Sequence, residues 1–135
     1  MLTTFQSQTV SVSIRKDPQE VYDFISNPEN LPTWATAFCK SVQKSGEEWI
    51  VQTSEGELRV RFVEKNTLGV ADHYLLPEPD MEIYVPVRIV PNGSGSEVLF
   101  TLFRQPGMSE ADFGHDIGLV TRDLNSLKRV LTDQS

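Results

Sequence analysis

The stretch Asp72-His73-Tyr74, inside "GVADHYLL", sets a carboxylate, an imidazole and a phenol side by side. Tyr84 and Arg88 follow on "MEIYVPVRIV", which also reads as a strand. Successive strand side chains point to opposite faces, so Asp72 and His73 cannot both serve one interior. Facing an apolar interior, Asp72 would be neutral, paired or hydrogen-bonded, and could anchor a ligand or act as a general acid/base. Near a sheet edge it would instead be a structural carboxylate bonded to Tyr74, a backbone amide or water. His73 on the outer face would be an ordinary surface residue. If the facing is reversed, His73 with Tyr84 and Arg88 forms the polar cluster. Asp72 and His73 are therefore the catalytic candidates.

Other chemistries find less support. His73 and His115 lie on different elements, Cys39 is near neither in sequence, and no HExxH or CxxC spacing occurs, so no metal site is expected. There is no GxSxG elbow. The glycines of "NGSGSE" lack the spacing and following helix of a dinucleotide loop, and no cofactor is expected. The net charge is -7, with 12 basic residues scattered among 19 acidic ones. Arg59 and Arg61 alternate with apolar residues in "RVRF", as on a solvated strand face. Nucleic-acid binding, which needs clustered cations, is not expected. No stretch is long enough to span a bilayer. The single cysteine excludes an internal disulfide, and "MLTTFQSQ" lacks the marks of a signal peptide, so a cytoplasmic protein is expected.

The elements that must position these residues are legible. "TVSVSI" alternates Val10, Val12 and Ile14 with serines, the period of a half-buried strand. "DPQE" offers Asp17 as N-cap, Pro18 at the first helical position and Glu20 three residues on. Val21, Phe24 and Ile25 follow at helical spacing, and "NPENLP" stops that helix before a second short turn carrying Leu31 and Trp34. Six strand-like segments with tight turns come next, which implies an antiparallel meander. From Ser109 on, Phe113, Ile117, Val120, Leu124, Leu127 and Leu131 make one apolar stripe. That helix is about 22–24 residues, or about 35 Å, enough to cross a sheet. The order predicts an α+β fold: a curved seven-stranded antiparallel sheet with a long C-terminal helix on its concave face and two short helices after strand 1. The 135 residues fit a single domain, 1–135. A bent sheet and a straight helix leave a gap, and Leu31 and Trp34 would form one wall of its mouth.

Strand facing follows from turn lengths. A two-residue turn at Glu55-Gly56 puts Trp49, Val51 and Thr53 on one face with Phe62, Val60 and Leu58. An even loop at Asn66-Thr67 would then turn His73 inward, followed by Glu82, Tyr84, Pro86 and Arg88. A three-residue loop with a bulge near Gly69 would turn Val70, Asp72, Tyr74 and Leu76 inward, with Ile83, Val85 and Val87, then Val98, Phe100 and Leu102. The second register buries more apolar surface, at about 1.5–3 kcal/mol per large side chain, and is the one expected.

The order of elements, with "DPQEVYDFISNPENLPTW" and the final "FRQPGMSEADF…VTRDLNSLKRVL" helix, resembles the START/Bet v 1-like (SRPBCC) superfamily, and within it the polyketide cyclase/dehydrase-like group. The resemblance covers essentially the whole chain. It implies a helix-grip fold with an internal ligand cavity. Members range over lipid carriers, hormone receptors, aromatase/cyclases and chaperone activators, so it leaves the activity open.

The leading expectation is a module enclosing a hydrophobic ligand: a polyketide, lipid or isoprenoid-like molecule. Its lining would be Trp34, Trp49, Val51, Val60, Phe62, Asp72, Tyr74, Val85, Phe100, Phe113, Ile117 and Val120. Alternatives are a cyclase/dehydratase-type enzyme using Asp72, or an interaction module. For the latter, outer-face Tyr84, Leu99, Thr101 and Phe103 could supply an apolar patch, including for a homodimer. Asp112, Asp116 and Asp123 read mostly as solvated-face charges of the last helix, with Asp116 bordering the apolar stripe.

Overall fold

The computed structural model describes residues 2–133. Strand β1 (Ser7–Ile14) buries Val12 and Ile14 and exposes the intervening serines, as its alternation requires. Asp17 then caps α1 (Pro18–Ile25): one carboxylate oxygen accepts from the Gln19 and Glu20 N–H groups at 3.0 and 3.4 Å. A cap of this kind is worth about 1 kcal/mol. Helix α1 buries Val21, Tyr22 and Ile25. Tyr22 is more deeply buried than Phe24, because its hydroxyl has a partner in the Asn66 N–H at 2.9 Å. A 3-10 turn (Pro28–Asn30) and the single-turn helix α2 (Leu31–Trp34) follow, and the Asn30 amide clips the turn to the Phe24 carbonyl at 3.0 Å.

The described residues form eight strands: β1 is joined by β2 (Ser41–Ser45), β3 (Glu48–Thr53), β4 (Gly56–Phe62), β5 (His73–Glu78), β6 (Met81–Val85), β7 (Val87–Asn92) and β8 (Gly95–Phe103). They pair antiparallel in the orders β1-β8-β7 and β2-β3-β4-β5-β6. The count exceeds the expected seven because Pro86, which has no N–H to give a ladder, divides "MEIYVPVRIV" into β6 and β7. The two sheets remain linked around this break. The Ala71 N–H donates to the Val87 carbonyl at 2.8 Å, Ile89 N–H to Gly69 at 2.9 Å, and Thr101 N–H to Pro86 at 3.0 Å. Gly69 permits that approach: its φ is +72°, and a Cβ there would run into the Ile89 carbonyl oxygen.

The register differs from expectation at one hairpin. Val60 lies opposite Leu75 and Phe62 opposite His73, so His73 and Leu75 share the inner face. No tight turn joins β4 to β5. Residues 63–72 form a longer loop organised by Asn66, whose side chain accepts from the Leu68 and Val70 N–H groups and donates to the Glu64 and Val70 carbonyls. The bulge instead lies in the next hairpin, where the register shifts between Leu75 and Glu78. Ile83, opposite Leu75, and Val85, opposite His73, therefore face inward as expected. Asp72, Tyr74 and Leu76 do not. Tyr74 and Leu76 lie opposite Arg61 and Arg59 on the outer face.

Helix α3 (Glu110–Asp133) starts at Ser109, whose hydroxyl accepts from the Asp112 N–H at 3.0 Å. It packs over β1 and against α2, burying Phe113, Leu124, Leu127 and Leu131.

Candidate ligand cavity

Between the inner face of the sheet and α3 lies a cavity of about 350 Å³, within the size range of small-molecule sites. Val60, Phe62, His73, Leu75, Val85 and Phe100 form its floor, and Leu119, Val120 and Leu124 of α3 its roof. One end is closed by Ile25, Leu31, Trp34 and Phe38. Leu31 and Trp34 are each only 5% exposed, so they are an inner wall and not the rim of a mouth. The more exposed lining residues are at the other end, in the β3–β4 turn (Thr53 to Glu55), at Gln105 and Met108, and at His115 and Asp116.

Of the lining predicted from sequence, Trp34, Val60, Phe62, Val85, Phe100 and Val120 border this space. Trp49 and Val51 lie opposite Val60 and Leu58, on the same face but outside the cavity. Phe113 and Ile117 are also outside it: the residues α3 turns toward the cavity are His115, Asp116, Leu119, Val120, Asp123 and Leu124. Asp72 and Tyr74 are absent because of the register described above.

His73 is the polar group of the floor. Its ring stacks on Phe62 at 4.9 Å between centroids and meets Phe100 edge-on at 6.0 Å. Nδ1 lies 3.4 Å from the Ala71 carbonyl, which can only accept, so the tautomer with its proton on Nδ1 is the one that can use this contact. Nε2 is left as a lone-pair acceptor with no partner among the described residues. Burial pushes the imidazole pKa down to about 4, against the smaller opposing effects of the Ala71 carbonyl and the Asp72 charge. His73 is neutral at pH 7.

Asp72 is held on the far side of the sheet. Arg88 donates to both carboxylate oxygens, Nε to Oδ1 and Nη2 to Oδ2, each at 2.8 Å. The Val87 N–H adds a bond at 2.9 Å and the Tyr84 hydroxyl one at 2.5 Å. Burial alone would raise the carboxyl pKa, but the bonds from Arg88, Tyr84 and Val87 outweigh it and hold the pKa below the usual range. Tyr84 continues outward as an aromatic row, 5.4 Å from Tyr74 and 6.4 Å from Phe103 between centroids.

Solved structures share this architecture. A START superfamily protein from Mycobacterium smegmatis superposes with a TM-score of 0.69 at 11% identity, over 93% of this chain and 99% of that one. The chain has the START-type helix-grip fold. Within that fold it is also similar to the protein XoxI from Bacillus cereus, with a TM-score of 0.77 at 19% identity over 92% of this chain and 94% of that one. The Aha1 dimer from Colwellia psychrerythraea gives 0.76 at 14% identity over 94% and 96%. No protein-family model matches the sequence, and no curated protein matches it. At these identities the likeness is one of fold. No helix among the described residues is long and apolar enough to cross a membrane.

Asp116 and Asp123, read from the sequence as solvated-face charges of α3, instead line this cavity. Asp116 and Asp123 lie two turns apart on the ridge that also carries Leu119 and Val120, and all four line the cavity. Asp123 is 6% exposed, and its Oδ1 accepts from the Ala37 N–H at 2.8 Å, which ties α3 to the segment after α2. Burial raises both carboxyl pKa values; for Asp123 the Ala37 and Phe38 N–H groups oppose the rise, and for Asp116 the nearby His115 does. Cys39 is buried close by, and its thiol is pushed up to about 11 by burial and by Asp123, which keeps it unreactive.

Proposed function

We propose that this chain is a binding domain, residues 1–135, that encloses a hydrophobic small molecule in the cavity between α3 and the sheet. The observation that carries the reading is the cavity itself: a largely apolar, aromatic-floored space of about 350 Å³ between α3 and the sheet. Two features weigh for binding over acid–base catalysis. The imidazole on the floor, with a pKa of about 4, is a poor base at neutral pH. The Asp72 carboxylate has its lone pairs engaged by Arg88, Tyr84 and Val87 outside the cavity. A single free cysteine, buried and protonated, fits a cytoplasmic setting.

The test is a titration with the neutral apolar dye Nile red. Ala71 is 2% exposed and borders the cavity, so Ala71→Phe projects a ring into the space. Dye affinity is expected to fall by about 30-fold or more, about 2 kcal/mol. Stability should change by about 1 kcal/mol or less, because the ring fills a void. Unchanged affinity in a folded variant would sink the reading.

A secondary part of the proposal is self-association through the outer face, favoured by Tyr74 and by Tyr84, which is 37% exposed and 5.4 Å from Tyr74 between ring centroids. Sedimentation should detect a dimer that Tyr74→Lys, outside the cavity lining, dissociates. A monomer at all accessible concentrations would remove this part.

A further inference from the structure

The carboxylates of the cavity wall all carry the same sign, with the Ser54 hydroxyl, the Gln105 amide and the His115 imidazole beside them at the more exposed end. Every lining residue with a full negative charge, Glu55, Asp116 or Asp123, is a hydrogen-bond acceptor, and the lining contains no Lys or Arg. On the floor, the His73 tautomer that donates from Nδ1 to the Ala71 carbonyl leaves the Nε2 lone pair, again an acceptor. Two of the hydroxyls nearby are committed: Tyr84 donates to Asp72 and Thr53 to the Gly56 carbonyl. The one buried lining donor without a protein partner among the described residues is the Trp34 indole Nε1, which is neutral. A carboxylate or phosphate entering this space would lose its hydration without gaining a cation, and would sit against fixed negative charge. A hydroxyl or amine would find acceptors waiting.

We propose, on the basis of the binding reading above, that the cavity selects apolar molecules bearing a hydrogen-bond-donating hydroxyl or amine and no anionic group. It thereby rejects fatty acids and other apolar carboxylates. The discrimination is built into the walls by Asp116 and Asp123 and into the floor by His73. A site whose acceptors are buried also disfavours a ligand that leaves them unpaired, so a bare hydrocarbon is a poorer fit than its hydroxylated counterpart.

Three probes test this by calorimetry at pH 7: Nile red, 2-naphthol and 2-naphthoate. At that pH a naphthol is neutral, as other phenols are, and a naphthoate is ionised. The apolar bodies of the last two match. Naphthol is expected to bind at least about tenfold more tightly than naphthoate. Asp116→Lys at the rim should strengthen naphthoate binding by about fivefold or more. Asp80→Lys, the same charge change on the exposed β5–β6 turn, should strengthen it much less, which separates local from overall charge. If Nile red binds but naphthol and naphthoate bind equally, the polarity inference is overturned and the cavity reading stands. If none of the three binds, both fall together. The wild-type comparison decides the matter even if the lysine variant fails to fold.

Discussion

Replacing Arg88 with Met is expected to cost about 3 kcal/mol of folding stability at pH 7. The Asp72 side chain is 6% exposed, whereas its partner is 47% exposed. The pair is therefore asymmetric: Arg88 can return to water when the bond is lost, and Asp72 cannot. Removing one partner of a buried ion pair costs about 3–5 kcal/mol, because it leaves a buried charge uncompensated. The low end applies, since Val87 N–H and the Tyr84 hydroxyl still bond to the carboxylate. Met keeps the length of the apolar stem, so the loss is one of charge and hydrogen bonds more than of packing. Arg88→Lys should recover less than half, since one ammonium cannot reproduce two parallel bonds to the two oxygens. The pH dependence is a second signature. Asp72 has a folded-state pKa below its unfolded value, so its contribution is present above about pH 4 and is lost as pH falls through the folded value. The gap between wild type and Arg88→Met in urea titrations should be constant near neutrality and close below about pH 4. A gap under about 1 kcal/mol, or one independent of acidity, would show that the cluster does not hold β5 against β7.

The same cluster marks where sequence reasoning stopped. Alternation, caps and the stripe from Phe113 to Leu131 specify the elements and their order, because each is a local pattern with a local physical cause. Facing is different. A single bulge inverts every side chain after it, and the bulge between Leu75 and Glu78 is not distinguished in sequence from one at Gly69. Apolar burial favoured the placement that brought Asp72 and Tyr74 inside. What that reasoning missed was Asn66, whose four side-chain hydrogen bonds make residues 63–72 a structured loop instead of a tight turn. Arg88 with Tyr84, which the other register placed together on the inner face with His73, were the available hint: a carboxylate is cheaper to bury beside a guanidinium than against valines. Asp116 and Asp123 were legible too. With Leu119 and Val120 they step by three and four residues along one ridge, and a polar residue on such a ridge faces whatever the ridge faces.

His73 leads to the other large expected effect. Its imidazole is neutral in the folded protein, with a pKa of about 4, whereas in the unfolded chain it titrates near the usual value of about 6.5. A folded pKa below the unfolded one means that the unfolded state takes up the proton first as pH falls. The contribution to stability is therefore fully present above about pH 6.5. It declines between pH 6.5 and 4, and levels off below, where both states are protonated. At 1.36 kcal/mol for each pKa unit, the decline amounts to about 3 kcal/mol. Asp116 and Asp123 work in the opposite direction, because carboxyls with raised pKa values bind protons more readily in the folded state and gain stability as pH falls. The wild-type curve alone thus mixes the two effects, and the difference from His73→Phe separates them. Phenylalanine can keep the stacking on Phe62 and the edge contact with Phe100 while removing the titration. Chemical denaturation at half-unit pH steps should show wild type losing about 3 kcal/mol relative to the variant between pH 6.5 and 4. Parallel curves would mean that the imidazole reaches bulk water, and with it that the floor of the cavity is wet. A relative loss of that size ties the dryness of that floor to a single side chain, the polar group of the floor itself.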